Sequence, residues 1–505
     1  MGRSVAQGRL ADPDTASWPE THYARRLAIV VGLLLALGSS AVYLATATDR
    51  YYDHFVWQAA AFLEGHGAIR HPVLGVGGAP GNDYFQDVMP IVTTDGVPRG
   101  LLPFPPLPAV VLLPFVALWG LAADDQTIFI ILAATDVAIC WWVLGRLPVR
   151  PAIRLCTTLF FAFGTVFWYS AQLSTTWYQA HIVAVGLTFL AIGIALGGDP
   201  RAVRDEIVPA ASAAGTTAAA AAASVATAGR AVRRFVGKLA IDPRQFVAGF
   251  LFGLACTARL TVLFGAPFFA FVGGGGDWRR RTWSAGLGAA LPILALIAYN
   301  VVTTGHVFHP AYDYLYQLES YGYPSLGYQP DWAVEDPRYL PQNLGIALFG
   351  LPDIFPAALP DSLAIAPQPV CTEPGAVRGL FDLACPLAVP RDIGMSVILT
   401  SPAYLLAIGM LARYGRRRPT RLATGAVLAV AAIAFVNLMH FSQGWVQFGY
   451  RFSNDAAPFA LLLVALGFQR LTDRRSWGMA LAIGLIVLSV AINLWGVLWS
   501  RLLGW

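Results

Sequence analysis

The chain has 505 residues, of which 56% are hydrophobic and only 12% are charged, and its mean hydropathy is +0.58. Soluble domains carry roughly 25% charged residues, so this composition excludes an ordinary soluble globular protein and indicates a chain whose solvent is lipid. The formal net charge of +5 is small for this length, and five cysteines are too few for a disulfide scaffold.

The basic residues predict an all-α, polytopic membrane protein. A helix needs about 20 apolar residues to cross a bilayer, and Lys and Arg in short loops mark the cytoplasmic side. Residues 1–26 are polar and end in two arginines, so we expect them to stay in the cytoplasm before an uncleaved first span at 27–46. Prolines crowd the apolar stretch 106–122, which is predicted to be re-entrant or interfacial and to leave 47–126 as one long external loop.

The middle of the chain shows one interruption. The first membrane region is predicted to extend over 27–197, and a cytoplasmic Ala-rich insert of low complexity follows at 198–244. Both flanks of 245–274 are basic, yet these residues are too few for two full helices of about 20 residues each. We therefore expect a hairpin of two half-helices, with Arg259 near its tip, and a following span that completes a unit at 245–303.

The remaining chain holds a second external segment, predicted at 304–392 and rich in Pro, Tyr and Asp, and a C-terminal membrane region at 393–505. The predicted total is about eleven crossings, with the C-terminus outside. The predicted spans are 27–46, 127–145, 153–172, 176–197, the two half-helices of 245–274, 284–303, 393–412, 421–440, 456–471 and 477–498. Because the polar mass lies on one face and no convincing repeat is evident, we expect function at that face rather than at the midplane site typical of transporters.

Two carboxylates directly after the first span are candidates for a general base. Asp49 lies where the membrane meets water, and Asp53 follows in the same run with Tyr52 and His54. A carboxylate at this boundary can stay charged yet be partly desolvated, which suits a base. The alternative is that both acids only end a helix and face water.

Two arginines are candidates for an anion site. Arg259 lies in an apolar stretch, where a charge is costly and is a functional hypothesis by default, and its planar fork suits phosphate oxygens. The alternative is an arginine that snorkels to a lipid headgroup. Arg451 lies in a short external loop among aromatic residues, and its alternative is an ion pair with Asp455, one helical turn further on.

Other polar residues carry weaker indications. His181 is expected at the outer end of its span, where it can shuttle protons or simply be a satisfied helix-end histidine. Asp136 is predicted within a span, where we expect it to face the bundle and pair with a polar group. Cys371 and Cys385 share the second external segment and can pair if that segment faces an oxidising compartment.

In their order along the chain, several segments resemble the GT-C superfamily of membrane glycosyltransferases, in particular the protein O-mannosyltransferase and aminoarabinose transferase-like members (glycosyltransferase family 39-like). The segments that carry the resemblance are the acid after the first span with a helix ending at Gly65, Phe104 to Pro108, Gly249 to Arg259, Tyr299-Asn300 with Gly305, and Gln447 to Arg451. In that superfamily, an acid of the first external loop activates the acceptor. Asp49 matches best by its distance to Gly65, and Asp53 is second, because the common Asp-Glu pair is missing here.

The resemblance implies an inverting glycosyltransferase that takes a hexose or pentose from a polyprenyl-phosphate donor on the extracytoplasmic face of the cell inner or plasma membrane. The acceptor is a glycan, a lipid or a protein, and no nucleic acid is expected. Arg259 and Arg451 would hold the donor phosphate. The residues expected to contact the substrates are Tyr52, His54, His181, Tyr299 and Asn300.

Cofactors and rival functions follow from what the sequence lacks. It has no P-loop and no metal-ligand motif, so no cofactor or metal site is predicted. The resemblance leaves a divalent cation open, because some members use one and others do not. A lipid or polysaccharide transporter or flippase would show paired interrupted helices in two halves, whereas only one interrupted hairpin is evident. A non-catalytic GT-C-like scaffold is the third reading, which the missing Asp-Glu pair favours.

Overall fold

The computed structural model describes residues 22–48, 52–70, 87–93, 96–206, 241–322, 329, 331–359, 368–411, 420–442, 444 and 446–505. Helix makes up 68% of the structure and the strands are few and short, which confirms the predicted helical class. Within the described residues, seven helices are long and apolar enough to cross a membrane, or eight if one bent pair counts as a single span. This set is compatible with a multi-pass membrane protein.

The helices in chain order are α1 (His22–Thr46), α2 (His54–Leu63), α3 (Leu107–Trp119), α4 (Asp125–Leu144), α5 (Pro151–Phe163), α6 (Phe167–Leu173), α7 (Thr176–Gly198), α8 (Pro200–Arg204), α9 (Pro243–Cys256), α10 (Pro267–Phe271), α11 (Trp278–Thr304), α12 (Ala311–Gly322), α13 (Leu340–Phe349), α14 (Val397–Thr400), α15 (Ile408–Leu411), α16 (Arg421–Met439), α17 (Ser453–Arg474) and α18 (Gly478–Leu503). Short 3-10 helices occupy Gly120–Ala122, Leu260–Gly265, Pro337–Tyr339 and Pro402–Ala407. The strands are β1 (Ile69–Arg70), β2 (Met89–Val92), β3 (Pro98–Leu101), β4 (Asp353–Ile354), β5 (Ala358–Leu359), β6 (Gln368–Pro369) and β7 (Ala388–Val389).

The predicted count of eleven crossings is not confirmed, because several apolar stretches are short or broken. The expected span at 393–412 is replaced by α14, a 3-10 helix and α15. Pro402 cannot donate a backbone hydrogen bond, and Ser401 before it leaves the helical region with φ −137° and ψ 66°. The expected span at 153–172 is bent by 50° between α5 and α6.

The core of the bundle lies at α7. The buried share of its most apolar window is 78%, against 17% for both α1 and α11, so α7 is central and the other two helices are peripheral. Asp136 of α4 packs directly against this core helix, because a Cβ added at Gly186 would lie 2.1 Å from its Oδ1. The sequence predicts that Asp136 pairs with a polar group. Its Oδ2 atom has no hydrogen-bond partner among the described residues.

The segment that carries Arg259 is set by close packing of two helices. A Cβ added at Gly249 of α9 would lie 2.0 Å from the Ala285 carbonyl oxygen, and one at Gly288 of α11 would lie 2.1 Å from the Phe246 carbonyl oxygen. Only glycine lets the two backbones approach this closely. The chain is interrupted directly after α9, and Arg259 lies there in extended conformation before the next 3-10 helix.

Both segments that the sequence predicts to be external contain small antiparallel sheets. In the first, the strand order is β1-β3-β2, and Met89 and Ile91 pack with Leu101 against Ala311, the first residue of α12. In the second, β4 pairs with β7 and β5 with β6. The second segment also docks on the bundle through α13, where Asn343 donates to the carbonyl oxygens of two residues at the end of α16.

Buried ion pairs close one end of the bundle. We call this group the Asp199 cluster; it contains Asp199, Glu206, Arg421 and Arg470. The Arg421 Nη2 to Asp199 Oδ1 distance is 3.2 Å, and the Arg470 Nη2 to Glu206 Oε2 distance is 3.0 Å. The cluster joins the last turn of α7 and α8 to the start of α16 and the end of α17, so it fastens these helices at that end.

Candidate functional site

A buried carboxylate organises the other end of α7, α16 and α17. Asp455, in the first turn of α17, has a fully buried side chain. It accepts hydrogen bonds from Arg259 Nε and Nη2 at 3.3 and 3.0 Å, and from His181 Nδ1 at 2.8 Å. Thr261 and Asn437 donate to its Oδ2 at 2.6 and 3.3 Å. We call these five residues the Asp455 cluster.

The Asp455 cluster positions groups rather than transferring protons. A carboxylate that accepts from an arginine and three further donors is strongly held in its ionised form. It fixes the Arg259 fork, whose side chain is still 21% exposed. Because the carboxylate can only accept, His181 Nδ1 carries the shared proton, and His181 Nε2 is buried with no hydrogen-bond partner in the described part of the chain.

A second guanidinium lies beside this cluster without an acid of its own. The Arg451 Cζ atom lies 5.4 Å from the ring centroid of Tyr178 and 5.4 Å from that of Phe452, and Arg259 Cζ lies 5.1 Å from the same Phe452 ring. No described acid forms a salt bridge with Arg451, and its buried Nε has no hydrogen-bond partner in that part of the chain. The alternative pairing of Arg451 with Asp455 is therefore wrong, because Arg259 and His181 occupy that carboxylate.

Glycine makes the position of Arg451 accessible. Gly444 has φ +84°, which favours glycine, and a Cβ added there would lie 2.6 Å from Arg451 Nε. The loop is tied to α7 by a hydrogen bond from the Tyr178 hydroxyl to the Val446 carbonyl oxygen at 3.4 Å. The loop backbone is therefore shaped around the guanidinium.

Asp87, in the predicted first external loop, lies near Arg451. The sequence did not single out this acid. Asp87 accepts a hydrogen bond from Trp177 Nε1 at 2.7 Å. Burial raises the pKa of Asp87 to about 6, although the Trp177 hydrogen bond and the charge of Arg451 both lower it. Asp87 also has a positive φ of 61°. No motif marks this residue in the sequence, and only its contact with α7 distinguishes it from other loop acids.

The predicted residues Tyr52 and His54 of the first loop also lie close to Trp177. The Tyr52 ring centroid is 4.9 Å from that of Trp177, and the His54 centroid is 5.9 Å away. His54 Nδ1 also lies 2.9 Å from Thr176 Oγ1. Asp53 precedes α2 at its N-cap position without capping it through its side chain. Asp49, the first choice for the base, lies outside the described residues.

Tyr299 and Asn300 lie at a joint between the first external loop and α11. The Tyr299 hydroxyl accepts from Gln58 Nε2 at 3.2 Å and donates to the Gly67 carbonyl oxygen at 3.3 Å. Asn300 donates to the Val307 carbonyl oxygen at 2.9 Å. Among the described residues, these bonds connect backbone and loops, and they do not bring either side chain to the Asp455 cluster.

The second external segment contributes Tyr312 and a covalent staple. Tyr312 lies within electrostatic range of Arg259, Glu335 and Asp87, and burial raises its pKa to about 12, so its hydroxyl is a neutral donor. Cys371 and Cys385 are joined as a disulfide. The described residues contain no group of three or more His, Cys, Asp or Glu side chains arranged to hold a metal ion.

Comparison of the chain with protein-family models, with curated proteins and with solved structures finds no match. The function must therefore be argued from the chemistry of the site.

Proposed function

We propose that the chain is a membrane glycosyltransferase that takes a sugar from a polyprenyl-phosphate donor and transfers it to an acceptor hydroxyl on the extracytoplasmic face. The supporting observation is Arg451, which is held between two aromatic rings without an acidic partner among the described residues, beside Arg259 on the same ring. Two guanidinium forks suit the oxygens of a phosphate group. They would also stabilise the charge that the phosphate gains as the sugar leaves.

The reaction is a single displacement at the anomeric carbon. The acceptor oxygen forms a bond to this carbon while the bond from the carbon to the phosphate oxygen breaks, and that electron pair leaves with the polyprenyl phosphate. The acceptor proton passes to a carboxylate, and one attack inverts the anomeric centre. Asp87 is a carboxylate near Arg451 with a pKa of about 6, and it joins Asp49 and Asp53 as a candidate base.

An apolar groove offers a place for the start of the polyprenyl chain. It has a volume of about 490 Å³ and is lined by residues of α13, α14 and α18, among them Leu348, Ile398 and Leu488. Ala347, the neighbour of Leu348 in α13, packs with Tyr450 and Phe452. The groove is therefore lined by the same helix that contacts the Phe452 ring near both arginines.

The setting of the reaction follows from the same proposal. The basic loops favour a cytoplasmic N-terminus in a cell inner or plasma membrane, with the site on the outer face. The acceptor is a glycan, a lipid or a protein. In the proposed reaction, the polyprenyl phosphate is the leaving group, so no further activation of the sugar is needed. Adding a chelator to the assay measures whether the reaction requires a divalent cation.

The test is a transfer assay in reconstituted membranes with a panel of polyprenyl-phosphate sugars. Wild type is compared with Asp49→Asn, Asp53→Asn and Asp87→Asn, and with Glu373→Gln as a control at an exposed external acid. We expect wild type and the control to release polyprenyl phosphate and one of the three aspartate variants to be inactive, which identifies the base. If no donor is consumed, or if all three variants match wild type, the proposed reaction is wrong, and lipid movement without a glycosidic product would support a flippase.

A further inference from the structure

A buried arginine in the first small sheet, Arg99, has two donor atoms without a partner among the described residues. Arg99 of β3 is 8% exposed, and neither its Nε nor its Nη1 has a hydrogen-bond partner among the described residues. No described acid forms a salt bridge with it. Burying a charge is costly unless it is paired and hydrogen-bonded. This position therefore calls for a negatively charged group from outside the described chain.

The strand register shows where Arg99 lies. Arg99 is opposite Ile91 of β2 and two residues from Leu101, which is opposite Met89. Directly opposite residues, and residues two apart on a strand, share one face of a sheet. This face packs against Ala311 at the start of α12. The opposite face packs at Ile69 against Trp57 and Ala61 of α2 and is exposed at Val92, which is 76% accessible. Arg99 is thus on the sheet face that packs against the start of α12, a twelve-residue helix whose N-terminal dipole favours an anion.

A second unused donor lies at the same helix start. His309 Nδ1 accepts a hydrogen bond from the Ala311 N–H at 3.3 Å. Burial lowers the pKa of His309 to about 4, so the ring is neutral near pH 7 and its proton is on Nε2. Nε2 is buried and has no hydrogen-bond partner in the described part of the chain. A neutral ring N–H can donate a hydrogen bond to an anionic oxygen.

We propose that Arg99, His309 and the first turn of α12 bind an anionic group, a phosphate or a carboxylate, carried by the acceptor. The assignment to the acceptor rests on the proposed function. Asp87 and Ile91, which is opposite Arg99, are four residues apart, which is about 13 Å in an extended chain. An acceptor anchored at Arg99 can therefore reach Asp87 with a hydroxyl one or two sugar units away, while the donor phosphate occupies Arg451.

The sheet supplies a matched control. Arg70 is the cross-strand neighbour of Arg99 on β1, but its side chain is 65% exposed and lies 2.8 Å from Glu64. Arg70→Gln therefore removes the same charge from the same sheet without touching a buried unpaired donor.

The experiment measures thermal unfolding of the full chain in nanodiscs, in an Arg451→Gln background that removes the unpaired guanidinium of the proposed donor site. The probes are inorganic phosphate, glucuronate and, as a neutral sugar, glucose, all at constant ionic strength. A ligand that binds only the folded state raises Tm in a saturable way. We expect this for phosphate or glucuronate and not for glucose, and the more effective probe shows which anion the acceptor carries.

We expect Arg99→Gln to weaken the anion effect about 10- to 100-fold, as for the loss of a charged hydrogen-bond donor, and Arg70→Gln to leave it unchanged. If Arg99→Gln does not fold, Arg99→Lys keeps the charge but loses the fork, and His309→Leu removes the second donor; both should weaken the effect. No saturable anion effect, or an equal loss in Arg70→Gln, would mean that water alone satisfies Arg99 and would overturn the inference. Because no donor lipid is present, this result is independent of whether the chain transfers a sugar.

Discussion

Both ends of α7, α16 and α17 are joined by buried ion pairs, but the two ends differ in what remains unpaired. In the Asp199 cluster, each acid meets an arginine. At the other end, the Asp455 cluster uses its one carboxylate fully, and Arg451 lies beside it without an acid among the described residues. Matched charges fasten helices. Under the proposed function, the charge of Arg451, which has no acid among the described residues, is the one that binds a ligand.

The sharpest way to break this comparison is to remove one carboxylate charge at each end. Asp455→Asn leaves Arg259 buried without its counter-charge, which costs about 3–5 kcal/mol, and it releases the fork from its position. We expect loss of sugar transfer together with loss of stability. Glu206→Gln at the other end should cost similar stability and leave transfer per folded molecule unchanged.

The measurement is thermal unfolding combined with a transfer assay normalised to folded protein. If folded Glu206→Gln also failed to transfer sugar, or if folded Asp455→Asn transferred sugar at the wild-type rate, the two clusters would not differ in function as proposed.

Substituting one arginine at each end should separate stability from activity: Arg451→Gln should reduce transfer but not stability, and Arg470→Gln should reduce stability but not transfer. Arg451→Gln removes a charge that has no partner among the described residues, so we expect unchanged or higher stability, with transfer reduced about 10²- to 10³-fold. Arg470→Gln breaks the ion pair with Glu206 and should lower stability without an effect on transfer by the folded protein. Unfolding and donor-dependent kinetics on both variants test this pair; equal behaviour of the two would contradict it.

The pH dependence of sugar transfer should come from the end of the bundle that holds the Asp455 cluster, Arg451 and Asp87. With Asp87 as the base, its carboxylate must be ionised to accept a proton, so transfer should rise with pH through about 6 and then level off. Asp87→Asn should lower transfer about 10²-fold or more and remove this step from the pH profile. A step that persists in Asp87→Asn would assign it to another group.

The stability of the same variant has a definite sign. Burial raises the pKa of Asp87 from 3.8 to about 6, so ionised Asp87 weakens the folded state as pH rises through this window. Asp87→Asn should be more stable than wild type at pH 8 and equal to it below pH 3.8. Unfolding curves at the two pH values measure the difference.

Two glycines allow the smallest test of the comparison. A Cβ at Gly444 would lie 2.6 Å from Arg451 Nε, and one at Gly273 would lie 1.8 Å from Gln245 Oε1, and both glycines have positive φ. We expect each substitution by alanine to cost about 1–3 kcal/mol. Only Gly444→Ala should also raise the donor KM, because it displaces Arg451; a changed KM in Gly273→Ala would argue against separate roles.

The sequence shows which residues matter more readily than which residues meet. Arg259, His181 and Arg451 stand out because polar residues beside or within apolar stretches are costly, but the sequence offered Asp455 only as a partner of Arg451. His181 and Asp455 are 274 positions apart in the sequence, so no local signal marks their contact, which depends on how α7 and α17 pack. Asp87 was missed because an acid in a polar loop is unremarkable until Trp177 partly buries it.

The sequence by itself determined the helical class, the apolar surface and the interruption near Arg259, because hydropathy, glycine and proline act locally. It did not determine the number of continuous spans, since a stretch such as 393–412 has the hydropathy of a span but is broken at Pro402. Only the tertiary structure decided that Arg259 and His181 share Asp455 while Arg451 and Arg99 have no acid in the described residues. Pairing of buried charges depends on packing between distant segments, and no short pattern in a chain encodes it.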